Sequence, residues 1–554
     1  MNIPIKEIKI EKPCTIRKMG TSGLREVQEV YNQPLFLEQF AQGIADWFKE
    51  AAGTEAAGLK LILGGDPRKG NQRRVEVIAE ILAAAGFHVI IPDNGLASTP
   101  AVSHAIRHMK AAGGVILTAS HNPFTDVGIK VNIASGAPAL EDDVNRIHEL
   151  QNSATVIRKT NYNEAVKAGC IEKIDIIKMY ADLLDNIFDF KAMKKIIAAQ
   201  KISGAFDSMH GAAGPFAREI FINRLSMDAL MLREEPREDL GGHDADGEPL
   251  HPEPDFDYIP ELIAINSAGD RHIAAAWDSD VDRRLDGGSG FFVESADEFA
   301  LFASYSHLIN LENLFGDTIY FCRSTVTADA PDRIEESLKK KFPGKEVRTI
   351  ETPTGFKWIA ELGNWGVEES NGVGNPYLRE KDGIFATVFL LKIILETGKT
   401  PLQLMEEIWK ESGRVYFTRG EVSGKENSEK EVLTDLLQGA SGQTGKTFGN
   451  LILESAESWN YTHPESGTIA ARDAAWVLRF SDGNTVKARF SGTGSSGYTL
   501  RVYCSKFDKD YGLPKSDITR PMKEAFDAFL AAHGLTEKSK KYTDAHQPDV
   551  YGGK

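Results

Sequence analysis

Residues 59–120 read LKLILGGDPRKGNQRRVEVIAEILAAAGFHVIIPDNGLASTPAVSHAIRHMKAAGGVILTAS and contain three apolar runs separated by two longer segments. The apolar runs at 59–64, 88–92 and 113–120 have the length of buried strands. The segments at 73–86 and 101–112 carry apolar residues at helical spacing. Strands that alternate with helices in this way predict an α/β fold built on a mixed, mostly parallel sheet.

The same alternation returns twice farther along the chain, over 202–277 and over 318–398. In each of the three stretches a buried strand runs into a polar loop: TASHNP at 118–123, DSDVDRR at 278–284 and VEESNG at 367–372. Ligands of open α/β sheets bind outside the carboxyl ends of the strands. We therefore expect the three loops to face one shared cleft.

Length and charge limit the class of protein. A chain of 554 residues is too long for one hydrophobic core and predicts three or four domains. After Gly413 the pattern changes to polar loops, short strands and one late helix, which predicts a smaller α+β domain. The net charge of -16 repels nucleic acid and anionic membranes, so we expect neither as a partner.

The cysteines and the N-terminal segment bear on the compartment. Cys14, Cys170, Cys322 and Cys504 are scattered without CxxC spacing, which argues against a zinc site and against a disulfide framework. The first residues, MNIPIKEIKIEKPC, have no apolar core of signal-peptide length. We expect a protein of a reducing compartment, the cytoplasm.

The loop at 278–283 carries the strongest chemical signal. Asp278, Asp280 and Asp282 alternate along the chain, and alternate residues of an extended loop project to the same side. Three convergent carboxylates are what a hard divalent cation such as Mg²⁺ requires. The glycine and the distal glutamate of an EF-hand calcium loop are missing at the required offsets.

Ser120 ends an apolar strand and is followed by His121, Asn122 and Pro123. A hydroxyl on such a constrained loop can act as a nucleophile. An Asn-Pro turn in which the hydroxyl bonds to nearby backbone explains the same residues. The motif alone leaves both interpretations open.

Two further loops suit a phosphosugar. Glu368 and Ser370 follow a strand and can exchange hydrogen bonds with sugar hydroxyls, although an acidic turn before a helix explains them as well. The glycine-rich segment RFSGTGSSGYTLR at 489–501 lies between apolar strands and is flanked by Arg489 and Arg501. Backbone N–H groups, hydroxyls and arginines together predict a phosphate cradle.

A loose P-loop pattern, ASGQTGKT at 440–447, is rejected on its context. A P-loop leaves a strand and opens a helix. Here a helix-like segment at 428–439 precedes it and a strand-like segment at 448–454 follows it. We predict a surface loop.

Read in order, these loops resemble those of the α-D-phosphohexomutase superfamily, and within it the glucose-specific branch. The similarity spans nearly the whole chain, through GTSGLRE at 20–26, GLASTPAVS at 95–103, TASHNP, GIKVN at 128–132, FDSMHGAAGP at 206–215, DSDVDRR, ETPTGFKW at 351–358, EESNG, REKDG at 379–383 and the glycine-rich segment. The resemblance implies four domains around a central cleft, the first three with a shared α/β core. On that basis we expect a phosphoserine domain at 1–190, a metal-binding domain at 191–297, a sugar-binding domain at 298–412 and a phosphate-binding domain at 413–554.

The resemblance also implies roles for individual residues. Ser120 corresponds to the phosphoserine and, with Asp278, Asp280 and Asp282, to the ligands of Mg²⁺. The implied catalytic residues are Ser120, His121, Lys130, Lys381 as proton donor or acceptor, and Arg25. The implied substrate-binding residues are Arg283, Thr354, Gly355, Glu368, Ser370, Lys381, Arg489, Ser491, Gly492, Thr493 and Arg501.

The implied reaction is the reversible interconversion of glucose 1-phosphate and glucose 6-phosphate, with glucose 1,6-bisphosphate as intermediate and activator. The EES spelling at 368–370 favours glucose, because mannose-type members usually read EMSG; Val367 departs from the glycine that is usual before it. The alternatives are a phosphomannomutase, a glucose-1,6-bisphosphate synthase or a non-catalytic scaffold. We expect a monomer or weak dimer whose partner is a small phosphosugar.

Overall fold

The computed structural model describes residues 3–20, 23–53, 57–424, 427–490, 498–512, 515–532 and 540–543. The chain divides into two compact units, and each is treated by itself. The first unit comprises Met1–Gly290, Gly363–Trp365 and Asn371–Thr400. The second comprises Phe291–Leu362, Gly366–Ser370 and Pro401–Lys554.

The first unit begins with a six-stranded sheet in the order β2-β6-β5-β3-β4-β8. Strands β3, β4, β5 and β8 run parallel, as the sequence predicts, and β2 and β6 are antiparallel, which makes the sheet mixed. The elements are β1 Lys6–Lys9, β2 Leu24–Val27, α1 Gln28–Tyr31, α2 Phe36–Ala52, β3 Lys60–Gly65, α3 Asn71–Ala84, β4 His88–Pro92, α4 Thr99–His108, β5 Gly113–Leu117, β6 Asp126–Ile133, α5 Glu141–Ser153, β7 Val156–Lys159, α6 Tyr162–Lys167, β8 Ile171–Ile174, α7 Ile176–Phe188 and α8 Phe190–Gln200.

A second sheet of this unit has the strands β10, β9, β11 and β12 side by side. Here β10, β9 and β11 are parallel, and β12 returns antiparallel to β11. All five residues of β11 are buried, so the sheet is covered on both faces. The elements are β9 Ser203–Asp207, α9 Ala213–Ala217, β10 Asp228–Leu232, α10 Pro260–Ser267, β11 Ile273–Trp277 and β12 Arg284–Gly288.

The second unit opens with three parallel strands in the order β15-β14-β16. Its first elements are β13 Phe291–Phe292, α11 Ser295–Ser304, β14 Thr318–Ser324, α12 Ala330–Arg333, α13 Glu335–Lys341, β15 Glu346–Thr352, α14 Lys357–Glu361 and β16 Gly366–Glu368. The chain then returns to the first unit for the antiparallel pair β17 Gly372–Asn375 and β18 Glu380–Lys381, and for the buried helix α15 Gly383–Thr397.

The rest of the second unit is α16 Pro401–Ser412 and a seven-stranded antiparallel sheet in the order β20-β21-β22-β23-β24-β19-β25. Two helices pack against this sheet, with Leu433, Leu500 and Phe529 among the buried core residues. The elements are β19 Arg414–Gly424, α17 Asn427–Gln438, β20 Thr447–Phe448, β21 Leu451–Thr462, β22 Ile469–Phe480, β23 Asn484–Phe490, β24 Tyr498–Asp508, α18 Lys515–Ala531 and β25 Lys540–Thr543.

The α/β fold class and the change to an antiparallel C-terminal region are confirmed. The P-loop rejection is confirmed too, because α17 precedes the segment and β20 lies at its end. Within the alternating stretches, PFAREIFINRL at 215–225 and DRIEESLKKKF at 332–342 each predict one helix. The structure differs in detail: the first segment is the end of α9 followed by a π-helical turn over Arg218–Arg224, and the second is broken between α12 and α13 at Ile334. Among the described residues, no helix is both long enough and apolar enough to cross a bilayer.

Candidate active site

Asp278, Asp280 and Asp282 follow the buried strand β11 directly. One oxygen from each carboxylate lies within 4.8 Å of the others, and all three side chains are buried. The predicted convergence of the three carboxylates is therefore confirmed. The loop reaches this shape with Val281 in the left-handed region at φ 69°, a costly conformation for a β-branched residue.

Ser120 lies just beyond the carboxyl end of β5, in the same unit as the aspartates. Its backbone is also left-handed, at φ 52°, and the residue is only 1% exposed. The hydroxyl Oγ donates to Asp278 Oδ2 at 2.8 Å. The interpretation as a hydroxyl bonded to local backbone is therefore not the one the structure adopts, since this partner is 158 residues away.

A buried ion pair fixes the Ser120 loop, and no sequence pattern described above indicates it. Arg68 Nε donates to Asp66 Oδ2 at 2.9 Å, and both side chains are fully buried. Arg68 Nη2 also donates to the backbone oxygen of Ser120, and Ser279 Oγ donates to the same oxygen at 2.7 Å. The only available signal was the polar segment GDPRKG after the first strand, which resembles an ordinary exposed turn.

Two lysines approach the aspartates. Lys130 Nζ lies 2.6 Å from Asp280 Oδ2 and 2.9 Å from Asp282 Oδ2. Lys381 Nζ lies 3.0 Å from Asp282 Oδ2. Burial opposes a charge on Lys130, but Asp280 and Asp282 outweigh it and raise the pKa of this lysine above its ordinary value.

The same charges shift the pKa values of Asp278 and Asp282 in opposite directions. Burial and the neighbouring Asp280 and Asp282 raise the pKa of Asp278 well above its usual range. Burial also acts on Asp282, but the attraction of Lys130 and Lys381 outweighs it and holds the pKa of Asp282 well below the usual range. The cluster thus has excess negative charge beside Asp278, where the hydroxyl of Ser120 lies.

The aspartates fit a divalent cation. Asp280 Oδ1 and Asp282 Oδ1 are buried and accept no hydrogen bond from the described residues. A buried anionic oxygen without a partner is costly. A hard cation with oxygen ligands removes that cost, so the donor set matches Mg²⁺ or a similar ion.

Three other predicted residues surround the serine. Arg25 on β2 donates from Nη1 to Asn122 Oδ1 at 3.1 Å, and burial, with nearby Arg283, lowers the pKa of Arg25 to about 10. His121 Nδ1 lies 3.5 Å from Ser120 Oγ. Arg283 Nη1 lies 3.6 Å from a carboxylate oxygen of Glu253. Arg25 thus contacts the loop that carries Ser120, and His121 belongs to that loop.

Lys381 is held in place by the residues on either side of it. The carboxylate of Glu380 accepts from Asn132 at 3.3 Å, and burial raises the pKa of Glu380 to about 7. Asp382 caps helix α15 by accepting from the Phe385 N–H at 3.0 Å. Asp382 also accepts from the Tyr180 hydroxyl at 2.5 Å. The sequence places both carboxylates in the segment REKDG at 379–383 but predicts no separate role for either.

The predicted sugar residues lie in the second unit. Glu368 ends β16 and is 6% exposed, and its Oε1 accepts from the Gly355 N–H at 3.0 Å. Gly355 has φ 116°, which favours glycine, and the neighbouring Thr354 hydroxyl is buried. The structure thus brings Thr354, Gly355 and Glu368 together, with Ser370 two residues beyond Glu368.

Arg489 and Arg501 form a directly opposed pair across strands β23 and β24. The Nε of Arg501 lies 3.0 Å from a carboxylate oxygen of Glu421 on β19. This pairing places two guanidinium groups on one face of the sheet, as a phosphate cradle requires. The other predicted cradle residues, Ser491, Gly492 and Thr493, lie outside the described residues.

Family models match three segments of the chain. The models that match are phosphoglucomutase/phosphomannomutase alpha/beta/alpha domain I over residues 17–157, domain III of the same family over 334–412, and the phosphoglucomutase-1 C-terminal domain over 414–549. They place the chain in the class of the phosphoglucomutases and phosphomannomutases.

Similarity to individual relatives favours the phosphoglucomutases within this class. Phosphoglucomutase 1 of Drosophila melanogaster is 34% identical over 582 residues, which cover 98% of this chain and 99% of that protein. Phosphoglucomutase-1 of Homo sapiens is 33% identical and covers 89% and 91%. The open form of pp63/parafusin, a phosphoglucomutase from Paramecium, has a TM-score of 0.82 at 28% identity, with 98% and 100% covered. The chain belongs to the phosphoglucomutase family.

Proposed function

We propose that this chain is a phosphoglucomutase that interconverts α-D-glucose 1-phosphate and glucose 6-phosphate through a phosphate carried on Ser120. The observation that carries the proposal is the contact of 2.8 Å between Ser120 Oγ and Asp278 Oδ2, at a buried cluster of three carboxylates. A serine in this position can receive a phosphoryl group beside a cation site. Family membership supports the same activity.

Asp278, Asp280 and Asp282, with the phosphate on Ser120, would hold Mg²⁺. A bound divalent cation supplies positive charge that offsets the charge on the phosphoryl oxygens and on the departing serine oxygen. Lys130 keeps two of the aspartates in place through its contacts of 2.6 and 2.9 Å. Arg283 binds the phosphate of Ser120.

The reaction consists of two reciprocal transfers. In the first, O6 of glucose 1-phosphate attacks the phosphorus on Ser120, the O6–P bond forms as the P–Oγ bond breaks, the O6 proton passes to a base, and Oγ takes up a proton. In the second, Ser120 Oγ gives its proton to a base and attacks the phosphorus on O1 of glucose 1,6-bisphosphate, the Oγ–P bond forms as the P–O1 bond breaks, O1 takes up a proton, and glucose 6-phosphate remains. We assign the proton transfer to Lys381, with His121 and Arg25 orienting the serine. Added glucose 1,6-bisphosphate activates the enzyme because it phosphorylates Ser120.

The second unit supplies recognition of the substrate in this proposal. Glu368 and Ser370 contact the sugar hydroxyls that differ between epimers, supported by Thr354 and Gly355. Arg489 and Arg501, with Ser491, Gly492 and Thr493, bind the phosphate that is not reacting. We retain the domains 1–190, 191–297, 298–412 and 413–554, a cytoplasmic location and a monomer or weak dimer as part of the proposal.

The proposal is tested by the intact mass of the full chain before and after incubation with glucose 1,6-bisphosphate. We expect the mass to report one phosphoryl group, and we expect Ser120→Ala to remove both this group and mutase turnover. Ser153→Ala, at an exposed serine of α5, is the matched control and should behave like the parent. Turnover that survives in Ser120→Ala would exclude the covalent step.

The sugar specificity is tested separately. We expect faster turnover of glucose 1-phosphate than of mannose 1-phosphate in a coupled assay. The opposite ranking would identify a phosphomannomutase with the same chemistry. A chain that never carries phosphate and turns over neither sugar would instead be a scaffold.

A further inference from the structure

A second cluster of possible ligands lies in the first unit, away from the aspartates. Helices α4 and α7 border a cavity of about 340 Å³, and its lining includes His104 and His108 from α4 and Asp182 from α7. Residues four apart on a helix lie on the same face, one turn apart. Both imidazole rings therefore face the same cavity.

The two rings have the spacing of a chelating pair. Their centroids are 5.3 Å apart. Two imidazole nitrogens bound at about 2 Å to one ion at a near-tetrahedral angle place the ring centres roughly 5 Å apart. The separation of the rings is thus compatible with one shared ion.

The surroundings of His104 favour the neutral form of its ring, which can act as a metal ligand. His104 is 8% exposed, and burial, followed by the repulsion of His108, lowers its pKa to about 4. The ring is consequently neutral near pH 7, the form that binds metals. A backbone hydrogen bond to Met179 orients the ring, as the outer partners of metal-bound histidines do.

Nearby cationic side chains limit the number of protein ligands that this cavity can offer to an ion. Asp182 already lies 2.7 Å from Lys178 Nζ and 2.8 Å from Arg224 Nη2. Its carboxylate is thus engaged by two cations. The histidine pair alone offers open nitrogen ligands, and water would complete the coordination.

We propose that His104 and His108 form a second metal site, for a borderline divalent transition-metal ion such as Ni²⁺, Cu²⁺ or Zn²⁺. Imidazole nitrogens select such ions, whereas the all-oxygen aspartate cluster selects hard ions such as Mg²⁺. The site is independent of the proposed mutase activity.

The two sites cannot share one ion. Helix α4 begins at Thr99, whose hydroxyl donates to Asp280 Oδ2 at 2.6 Å. A rise of 1.5 Å per residue places His104 about 7.5 Å farther along the helix axis. An ion on the histidine pair therefore lies outside the aspartate cluster.

The test is calorimetric titration of the full chain, without an affinity tag, with Ni²⁺ in excess Mg²⁺. We expect one Ni²⁺ site whose affinity falls at least about tenfold in His108→Ala and in His104→Asn, because each removes one of two nitrogen ligands. Since His104 is buried, the melting temperature of His104→Asn must be shown to match the parent. The matched control is His88→Ala, a histidine on β4 that lies 3.2 Å from Glu172 and should not affect binding.

The spectrum of bound Cu²⁺ gives a second measurement. We expect electron paramagnetic resonance to show coupling to two imidazole nitrogens in the parent and to fewer in either variant. Binding that survives in His108→Ala, or that is lost in Asp280→Asn instead, overturns the site. Loss of binding in His108→Ala without loss in His104→Asn contradicts chelation by the pair, because it shows that the exposed His108 binds the ion alone.

Discussion

Arg501 is the described residue through which the proposed phosphate cradle can be tested most directly. Its guanidinium lies opposite Arg489 on the adjacent strand, where a planar fork can hold two phosphate oxygens. We expect Arg501→Ala to raise the KM for glucose 1-phosphate by about 10- to 150-fold, since a hydrogen bond to a charged group contributes about 1.5–3 kcal/mol.

The matched control for this prediction is Arg479→Ala. Arg479 lies on β22 of the same sheet and pairs with Glu457 at 2.5 Å, with about half of its side chain exposed. Steady-state kinetics should leave its KM unchanged. An equal effect of both substitutions would show a general loss of positive charge and no cradle.

At the scale of single residues, some features of the site were predictable from the sequence and others were not. The convergence of the aspartates was predictable from their alternation, although the structure achieves it in a tight turn, with Val281 left-handed, and not in an extended loop. The hydrogen bond from Ser120 to Asp278 was not predictable from the serine motif, which is equally compatible with a local turn; only the family resemblance placed the two residues at one site. Arg68 was missed for the same reason: only the folded chain shows that a charged residue in a glycine-rich segment is fully buried.

Asp382, which precedes helix α15, contributes to the stability of the whole helix. Asp382 accepts both the Phe385 N–H and the Tyr180 hydroxyl, and burial raises its pKa to about 6. We expect Asp382→Ala to lower the free energy of unfolding by about 2–4 kcal/mol, about 1 for the cap and the remainder for the buried Tyr180 hydroxyl and Asn375 amide, which lose their acceptor. Thermal unfolding measures the loss.

Asp175→Ala provides the comparison. Asp175 caps α7 by accepting from the Lys178 N–H at 2.9 Å, and no hydroxyl donates to it among its described hydrogen bonds. It should lose only about 1 kcal/mol. Asp382→Asn, which keeps an acceptor oxygen, should be milder than Asp382→Ala. Equal losses in the two alanine variants would show that the Tyr180 contact contributes nothing.

At the element scale, most strands and helices followed from periodicity, because core-facing residues repeat at the period of the element. The exceptions are breaks inside predicted helices. The segment at 332–342 has a continuous helical pattern, yet Ile334 ends α12 and a new helix starts at Glu335. A break of this kind depends on the packing of each short helix and leaves no signal in the pattern.

For the whole molecule, the aspartate cluster predicts a stability that depends on the metal. An ion that binds only the folded aspartate cluster stabilises the folded chain, by about 2.7 kcal/mol at a concentration 100 times its Kd. We expect Mg²⁺ to raise the melting temperature measured by calorimetry. Chelation should reverse the shift.

Asp280→Asn should abolish this shift, because it removes one anionic ligand. Asp317→Asn, at an exposed residue just before β14, is the control and should retain it. An equal shift in both variants would mean that Mg²⁺ acts through general ionic strength.

The ordered set of loops made the fold class and the family predictable over nearly the full length. The assignment of residues to two compact units was not predictable, because 363–365 and 371–400 join the first unit although the intervening 366–370 belongs to the second. Long-range packing decides such crossings, and periodicity carries no information about it.

Val281 has a consequence for protein engineering. A valine in the left-handed region costs about 1–3 kcal/mol, so a search for thermostability would rank Val281→Gly among its first suggestions. The gain would be misleading, since the fully buried isopropyl group anchors the hairpin bend between two ligands. A relaxed loop would displace the carboxylates. The variant would then be more stable but would turn over substrate more slowly.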